Sequence, residues 1–141
     1  MKDKVFLDTN ILIYYNRSDC LDKKQISASI IKEHDCVISV QVINEICNVL
    51  TKKYPALEQE IELFLIDMID ICEVVQISSR LAFLSLKLYF KYKTSYYDSL
   101  ILAAALESNC SILYSEDLQH GQVIENSLKI VNPFVCGCSF L

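Results

Sequence analysis

Short runs that are apolar at nearly every position alternate along this chain with longer stretches in which apolar residues return every three or four positions. The short runs Lys4 to Leu7, Cys36 to Ser39, Glu73 to Ile77, Ser111 to Tyr114 and Lys129 to Val131 read as β-strands. The longer ones read as helices, over approximately Asn10 to Tyr15, Lys23 to Glu33, Val40 to Lys53, Leu57 to Ile71, Ser79 to Tyr92 and Tyr96 to Ser108. Regular alternation of this kind predicts an α/β fold, a parallel sheet covered by helices. Val5-Phe6-Leu7 and Ser111-Ile112-Leu113-Tyr114 are continuously apolar or nearly so, the pattern of strands buried on both faces, and belong in the middle of the sheet. Ligands of such sheets bind beyond the carboxyl ends of the strands, where the strand order reverses.

Composition adds that the unit is compact. The 141 residues match one domain with one core, expected to span 1–141, and no repeat, low-complexity run or Gly/Ser linker divides them. With 52% hydrophobic and 22% charged residues, disorder is not expected. The longest apolar stretch, Leu100 to Leu106, is far short of the roughly 20 residues that cross a bilayer. The opening MKDKVFLDTN turns acidic within a few residues and holds no signal core, so a cytoplasmic location is expected. Seven cysteines, an odd number without a signal segment, argue for buried thiols rather than a disulfide framework. Cys136 and Cys138 form a pair suited to a soft metal, but no second Cys/His pair stands nearby to complete four zinc ligands.

Charge bears directly on function. A formal net charge of −5 speaks against a protein that grips nucleic acid through broad electrostatics. An acidic sum can equally arise from carboxylates gathered in one place for a metal. Two glycines cannot build a GxGxxG or Walker loop, which removes nucleotide cradles. The two histidines, His34 and His120, stand in no evident nucleophile arrangement, so hydrolase triads are poorly supported.

Acids stand at the strand ends instead. Asp8 follows Lys4-Val5-Phe6-Leu7 directly, and Asp117 follows the strand ending at Tyr114, after Ser115 and Glu116. Glu45 lies about a turn and a half into the helix after Cys36 to Ser39, and Asp98 lies in the first turn of the helix before Ser111. All four can converge on one cleft. Each also has a plain structural explanation: Asp8 as a helix cap, Asp98 in the capping-box variant Ser95-x-x-Asp98, Glu45 as a helix surface residue, and Asp117 as a turn residue with Glu116 as its functional alternative. The ordered set carries more weight than any member. Magnesium or manganese takes hard oxygen ligands and keeps several waters, so carboxylates bind it without enclosing it. A metal so held lowers the pKa of water and stabilises a departing oxygen in phosphodiester hydrolysis, with no histidine base required.

Four segments then resemble the PIN domains, and among them the VapC-type toxins of toxin–antitoxin pairs: Phe6-Leu7-Asp8-Thr9-Asn10; Ile38-Ser39-Val40-Gln41 with Asn44-Glu45; Tyr97-Asp98-Ser99-Leu100-Ile101 with Ala103-Ala104-Ala105; and Leu113 through Gly121. The closing Ile130-Val131-Asn132-Pro133-Phe134 is similar to the last strand and tail of one subgroup. The resemblance implies a Mg²⁺- or Mn²⁺-dependent endoribonuclease with Asp8, Glu45, Asp98 and Asp117 as metal-binding, catalytic acids. Ser115 would orient the metal shell, Asn10 would support Asp8, and Glu116 beside Asp117 leaves open which of the two reaches metal. It further implies a three-layer sandwich around a five-stranded parallel sheet of order 3-2-1-4-5.

Between Tyr89 and Tyr97, two lysines interleave with five aromatics just before Asp98. Aromatic faces stack unpaired bases while lysines hold phosphates, so Lys91, Lys93, Tyr96 and Tyr97 are candidate RNA contacts, with core packing as the equal alternative. Leu63 to Ile71 has seven apolar residues in nine, enough to surround a helix and to require burial on more than one side. A homodimer or an antitoxin protein would supply that cover, as would a thick intramolecular core. Two other function classes remain open, a non-catalytic module that keeps the fold and an aspartate-based phosphotransfer domain. The second expects another aspartate two residues after Asp8, where this chain has Asn10.

Overall fold

The computed structural model describes residues 2–53 and 56–135. In chain order the elements are β1 (Lys4–Leu7), α1 (Thr9–Asn16), α2 (Leu21–Glu33), β2 (Asp35–Ser39), α3 (Val40–Lys52), α4 (Glu58–Ile71), β3 (Glu73–Val75), α5 (Ser79–Tyr92), α6 (Tyr96–Glu107), β4 (Ile112–Tyr114), β5 (Val123–Ile124) and β6 (Leu128–Val131). They form one sheet of order β3-β2-β1-β4-β6-β5. The pairings from β3 through β6 are all parallel, in the order expected for the five anticipated strands.

One expectation needs correction: among the described residues the sheet has six strands, not five, and is not wholly parallel. The sixth, β5, pairs antiparallel with β6 at the edge. Two residues are too few to show an alternating pattern. The turn that follows is made by Glu125 and Asn126, both at positive φ (51° and 56°), with the Ser127 amide donating to the Ile124 carbonyl. Two successive positive φ values are typical of tight hairpin turns, usually signalled by glycine, and this turn has none.

β1 and β4 lie side by side in the centre of the sheet, and Val5, Phe6, Leu7 and Leu113 are fully buried there. Strands covered on both faces explain why these stretches show no polar alternation. In α6 every residue from Ser99 to Ala105 is buried. A helix that is apolar all round belongs in the interior, and its alanines allow close approach to neighbouring elements. Serine hydroxyls start three helices: Ser39, Ser78 and Ser95 accept from the amides of Val42, Leu81 and Asp98, which satisfies a backbone donor at each N-terminus.

α4 behaves differently. Ile61, Phe64 and Met68 face the core, while Leu63, Ile66 and Ile69 are more than half exposed. The chain's own core therefore covers a single stripe of this apolar helix. Cys36, Cys72 and Cys110 are buried free thiols, as the cysteine count led us to expect, and Cys136 and Cys138 lie outside the described residues. Among those residues, no helix is long and apolar enough to cross a membrane.

The β5–β6 hairpin is tied to the end of α5 by two side chains, Tyr92 and Lys91. The Tyr92 hydroxyl accepts from the Glu125 amide (2.9 Å) and donates to Glu125 Oε2 (2.9 Å), and Lys91 pairs with the same carboxylate (2.5 Å). Tyr92→Phe should therefore cost about 0.5–1.5 kcal/mol in urea unfolding and speed hydrogen exchange at the Glu125 amide. An unchanged unfolding midpoint would mean that β6 alone holds the hairpin.

Candidate active site

The parallel register of β1 and β4 ends at the pair Leu7 and Tyr114, so the next residue of each strand, Asp8 and Ser115, emerges at the same carboxyl edge. The Asp8 amide bonds the Tyr114 carbonyl (3.0 Å), and the Ser115 amide bonds the Val131 carbonyl (3.0 Å), which extends the ladder one step past the strands. Asp8 is also the N-cap of α1. Its Oδ1 accepts from the Thr9 amide (2.8 Å), and its Oδ2 accepts from the Ser115 hydroxyl (2.8 Å). The capping explanation for Asp8 thus holds, and the same carboxylate faces the edge where ligands bind.

Its surroundings make Asp8 unusual. Burial pushes its pKa up to about 6; the bonds from Ser115 and Thr9 oppose the rise, and the charges of Glu45 and Asp117 add to it. A carboxylate stripped of water and facing two others favours its protonated form.

Glu45 projects from α3 toward the start of α1. Its Oε2 accepts from the Thr9 hydroxyl (2.5 Å), and its Oε1 accepts from Gln41 Nε2 one turn earlier (3.0 Å). Asp117 is exposed, and its Oδ2 accepts from Asn10 Nδ2 (3.0 Å). The Ser115 hydroxyl that reaches Asp8 also accepts from the amides of Asp117 (3.3 Å) and Leu118 (3.2 Å), which fixes the loop after β4. Asn10 therefore supports Asp117 rather than Asp8.

Glu116 turns elsewhere. The Tyr14 hydroxyl donates to its Oε1 (2.7 Å) and Lys23 donates to its Oε2 (2.5 Å), while the Lys23 ammonium lies 4.5 Å from the centre of the Tyr14 ring. The ion pair with Glu116 holds the Lys23 pKa well above the ordinary lysine value. Of the two adjacent acids, Asp117 is the one whose charge Asp8 feels.

Asp98 stands apart from this trio. Its amide donates to the Ser95 hydroxyl at the start of α6 (3.1 Å), and its charge is not among those acting on Asp8. A side chain links the two halves of the edge: Gln41 Nε2 also donates to the carbonyl of Tyr97 (3.3 Å), the residue before Asp98. Thr9, Gln41, Tyr14 and Lys23 hold the acids in place, and the sequence reasoning assigned none of them a role. For Gln41 a signal existed, its i,i+4 spacing to Glu45 on one helix face. Tyr14 and Lys23 left none, being 102 and 93 positions from Glu116.

Of the candidate RNA contacts, Lys91 is paired with Glu125, and Lys93 ends α5 at a φ of 58°. Tyr96 is half-buried and meets Tyr97 edge to face, with ring centres 5.9 Å apart. Tyr97 is 69% exposed and lines a cavity of about 520 Å³ that Glu45 also lines.

The donor chemistry suits a hard divalent cation: the acids are oxygen ligands, and a cation offsets both the desolvation that chiefly raises Asp8 and the lesser repulsion from Glu45 and Asp117. Among the described residues, no three of His, Cys, Asp or Glu gather tightly enough to hold an ion by themselves. An all-carboxylate set suits magnesium or manganese better than zinc, which favours nitrogen and sulfur ligands.

The raised pKa of Asp8 makes a signed prediction. Unfolded, the group titrates near 3.8, and folded, near 6, so its protonated form favours folding. That stability is complete below about pH 4 and is lost as pH rises through 6, a linkage on the order of 3 kcal/mol. In chelator, Asp8→Asn should be more stable than the parent protein at pH 7 by roughly 1–3 kcal/mol, the two converging toward pH 4 in urea unfolding. Parallel pH profiles would show that Asp8 is not desolvated.

Comparison with known proteins places this geometry. Residues 5–125 match the family model of the PIN domain. No curated protein sequence matches the chain significantly. Among solved structures, a toxin–antitoxin complex from Klebsiella pneumoniae aligns over 92% of this chain and 98% of its own, at 23% identity and a TM-score of 0.68. VapBC2 from Rickettsia felis, bound to a DNA fragment from its promoter, aligns over 90% and 98%, at 21% identity and a TM-score of 0.65. VapC20 from Mycobacterium tuberculosis, a toxin that cleaves the sarcin-ricin loop, aligns over 80% and 89%, at 14% identity and a TM-score of 0.65. At these identities the solved structures establish a shared fold, and the family model, matched over most of the sequence, establishes kinship: this chain belongs to the PIN domain family.

Proposed function

We propose that the protein is a Mg²⁺- or Mn²⁺-dependent endoribonuclease and the toxin of a toxin–antitoxin pair. One observation carries the reading: the half-buried carboxylate of Asp8 is held by the Thr9 amide and the Ser115 hydroxyl at the carboxyl edge of the sheet, with Glu45 and Asp117 close enough for their charges to act on it. Asp8, Glu45, Asp98 and Asp117 are the residues that would hold the metal. When bound, the metal supplies an acidified water and neutralises charge developing on the scissile phosphate. The chain's own residues do the positioning. Ser115 and the Thr9 amide fix both oxygens of Asp8, Thr9 and Gln41 fix Glu45, and Asn10 fixes Asp117. Lys23 and Tyr14 hold Glu116 away from these acids. A covalent aspartyl mechanism is disfavoured because the second aspartate it expects two residues after Asp8 is replaced by Asn10, whose amide is committed to Asp117.

The solved structures of similar fold include toxin–antitoxin complexes, which supports an antitoxin partner for this chain. The exposed apolar side of α4 supports a protein contact there, and we assign it to a homodimer.

Two expected outcomes test these assignments. Purified protein should cut single-stranded RNA with added Mg²⁺ or Mn²⁺ and stop in EDTA; persistence in excess EDTA would exclude the metal mechanism. Asp8→Asn, Asp98→Asn and Asp117→Asn should each lower the rate by a factor on the order of 100 or more, while Glu116→Gln stays within about tenfold of the parent. Separately, light scattering should report a dimer at micromolar concentration, and Ile66→Asp should shift it to monomer with the fold intact. A monomeric parent protein would remove the α4 assignment.

A further inference from the structure

An acidic nuclease meets a difficulty in holding its substrate. The chain carries a net charge of −5, the proposed site gathers four of its carboxylates at one edge, and two cations, Lys23 and Lys91, are spent on Glu116 and Glu125. Phosphate contacts usually dominate RNA affinity; with these two lysines engaged, contacts to the bases gain weight.

The cavity beside Glu45 has the chemistry for that. It measures about 520 Å³ and is lined by Val40, Ile77, Tyr97, Asn44 and Asn48 beside Gln41 and Glu45. The volume falls in the range of small-ligand pockets and is ample for one nucleobase. Tyr97 is 69% exposed, and Tyr96 braces it edge to face at 5.9 Å. The Tyr97 carbonyl is bonded by Gln41, which also holds Glu45, so the aromatic ring and the acid are linked through one side chain. Asn44 and Asn48 are exposed and one helical turn apart on α3, hence on one face. An amide offers a donor and an acceptor side by side, which matches the edge of a base and carries no charge.

We infer that this cavity is a nucleobase subsite: Tyr97 stacks one unpaired base of the RNA next to the scissile phosphate, and Asn44 and Asn48 read its edge. The inference rests on the nuclease reading above and extends it from the cut to the choice of where to cut. Stacking on Tyr97 supplies sequence-tolerant affinity, and the asparagines supply preference. A paired base cannot enter, so the site selects loops and single strands.

All three residues are exposed, so their substitution spares the fold. Tyr97→Ala should raise KM for a short single-stranded RNA about tenfold with kcat changed by less than about twofold, the mark of lost binding that is equal in ground and transition states. Tyr97→Phe keeps the ring and should behave as the parent protein. The double variant Asn44→Ala/Asn48→Ala should flatten the nucleotide preference beside the cut in a randomised RNA pool. An unchanged KM in Tyr97→Ala, or an unchanged preference in the double variant, overturns the subsite. If the parent protein cuts no RNA, the nuclease reading falls separately, and anisotropy with a labelled single-stranded oligonucleotide decides the subsite. Asp8→Asn/Tyr97→Ala should then bind about tenfold more weakly than Asp8→Asn, and equal affinities overturn it.

Discussion

The structure turns on one buried carboxylate. Asp8 closes the central strand, caps the first helix and takes a hydroxyl bond from the end of β4, all within three residues of the fully buried Val5-Phe6-Leu7. Two adjacent parallel strands must end in register for Asp8 and Ser115 to meet, and the sheet must be covered by helices for Asp8 to lose its water. Desolvation raises this carboxyl to about 6 and makes its ionised form costly in the free protein. A site of that kind gives up some stability in the free protein for affinity toward a cation.

Around that acid, neutral donors do the holding. A threonine hydroxyl, a serine hydroxyl, a glutamine amide and an asparagine amide each take one carboxylate oxygen and orient it without cancelling its charge. Cations are placed where charge is to be removed: Lys23 silences Glu116, and Lys91 silences Glu125. On the proposed reading, the same division would let a chain of net charge −5 act on a polyanion, with negative potential concentrated where a metal would reverse it and uncharged aromatic and amide groups left to engage the bases.

Much of this was legible along the chain. Continuous apolar runs marked the central strands because burial on both faces leaves no room for alternation, and the order of the five parallel strands came from the resemblance to a family the chain proves to belong to. The strand β5 was not legible, since two residues carry no period and the turn after it uses Glu125 and Asn126 in place of glycine. Nor could the apolar composition of Leu63 to Ile71 say which side faces inward; packing buried Phe64 and Met68 and left Leu63, Ile66 and Ile69 outside.

By itself the sequence determined the alternation of strand and helix and set Asp8 and Asp117 just after the central strands, because local periodicity and chain order are sufficient for both. Tertiary structure alone decided which acids share a field. Glu116 and Asp117 are neighbours in the chain and alike in chemistry, and they were separated by Lys23 and Tyr14 on one side and Asn10 on the other, all about a hundred positions away. Asp98, placed in the sequence to join the trio, is tied to it in the fold through Gln41 and the Tyr97 carbonyl rather than by its own charge on Asp8. The physical reason is range: periodicity and capping act over a few residues, whereas electrostatic coupling depends on distances in space that only the packed sheet defines.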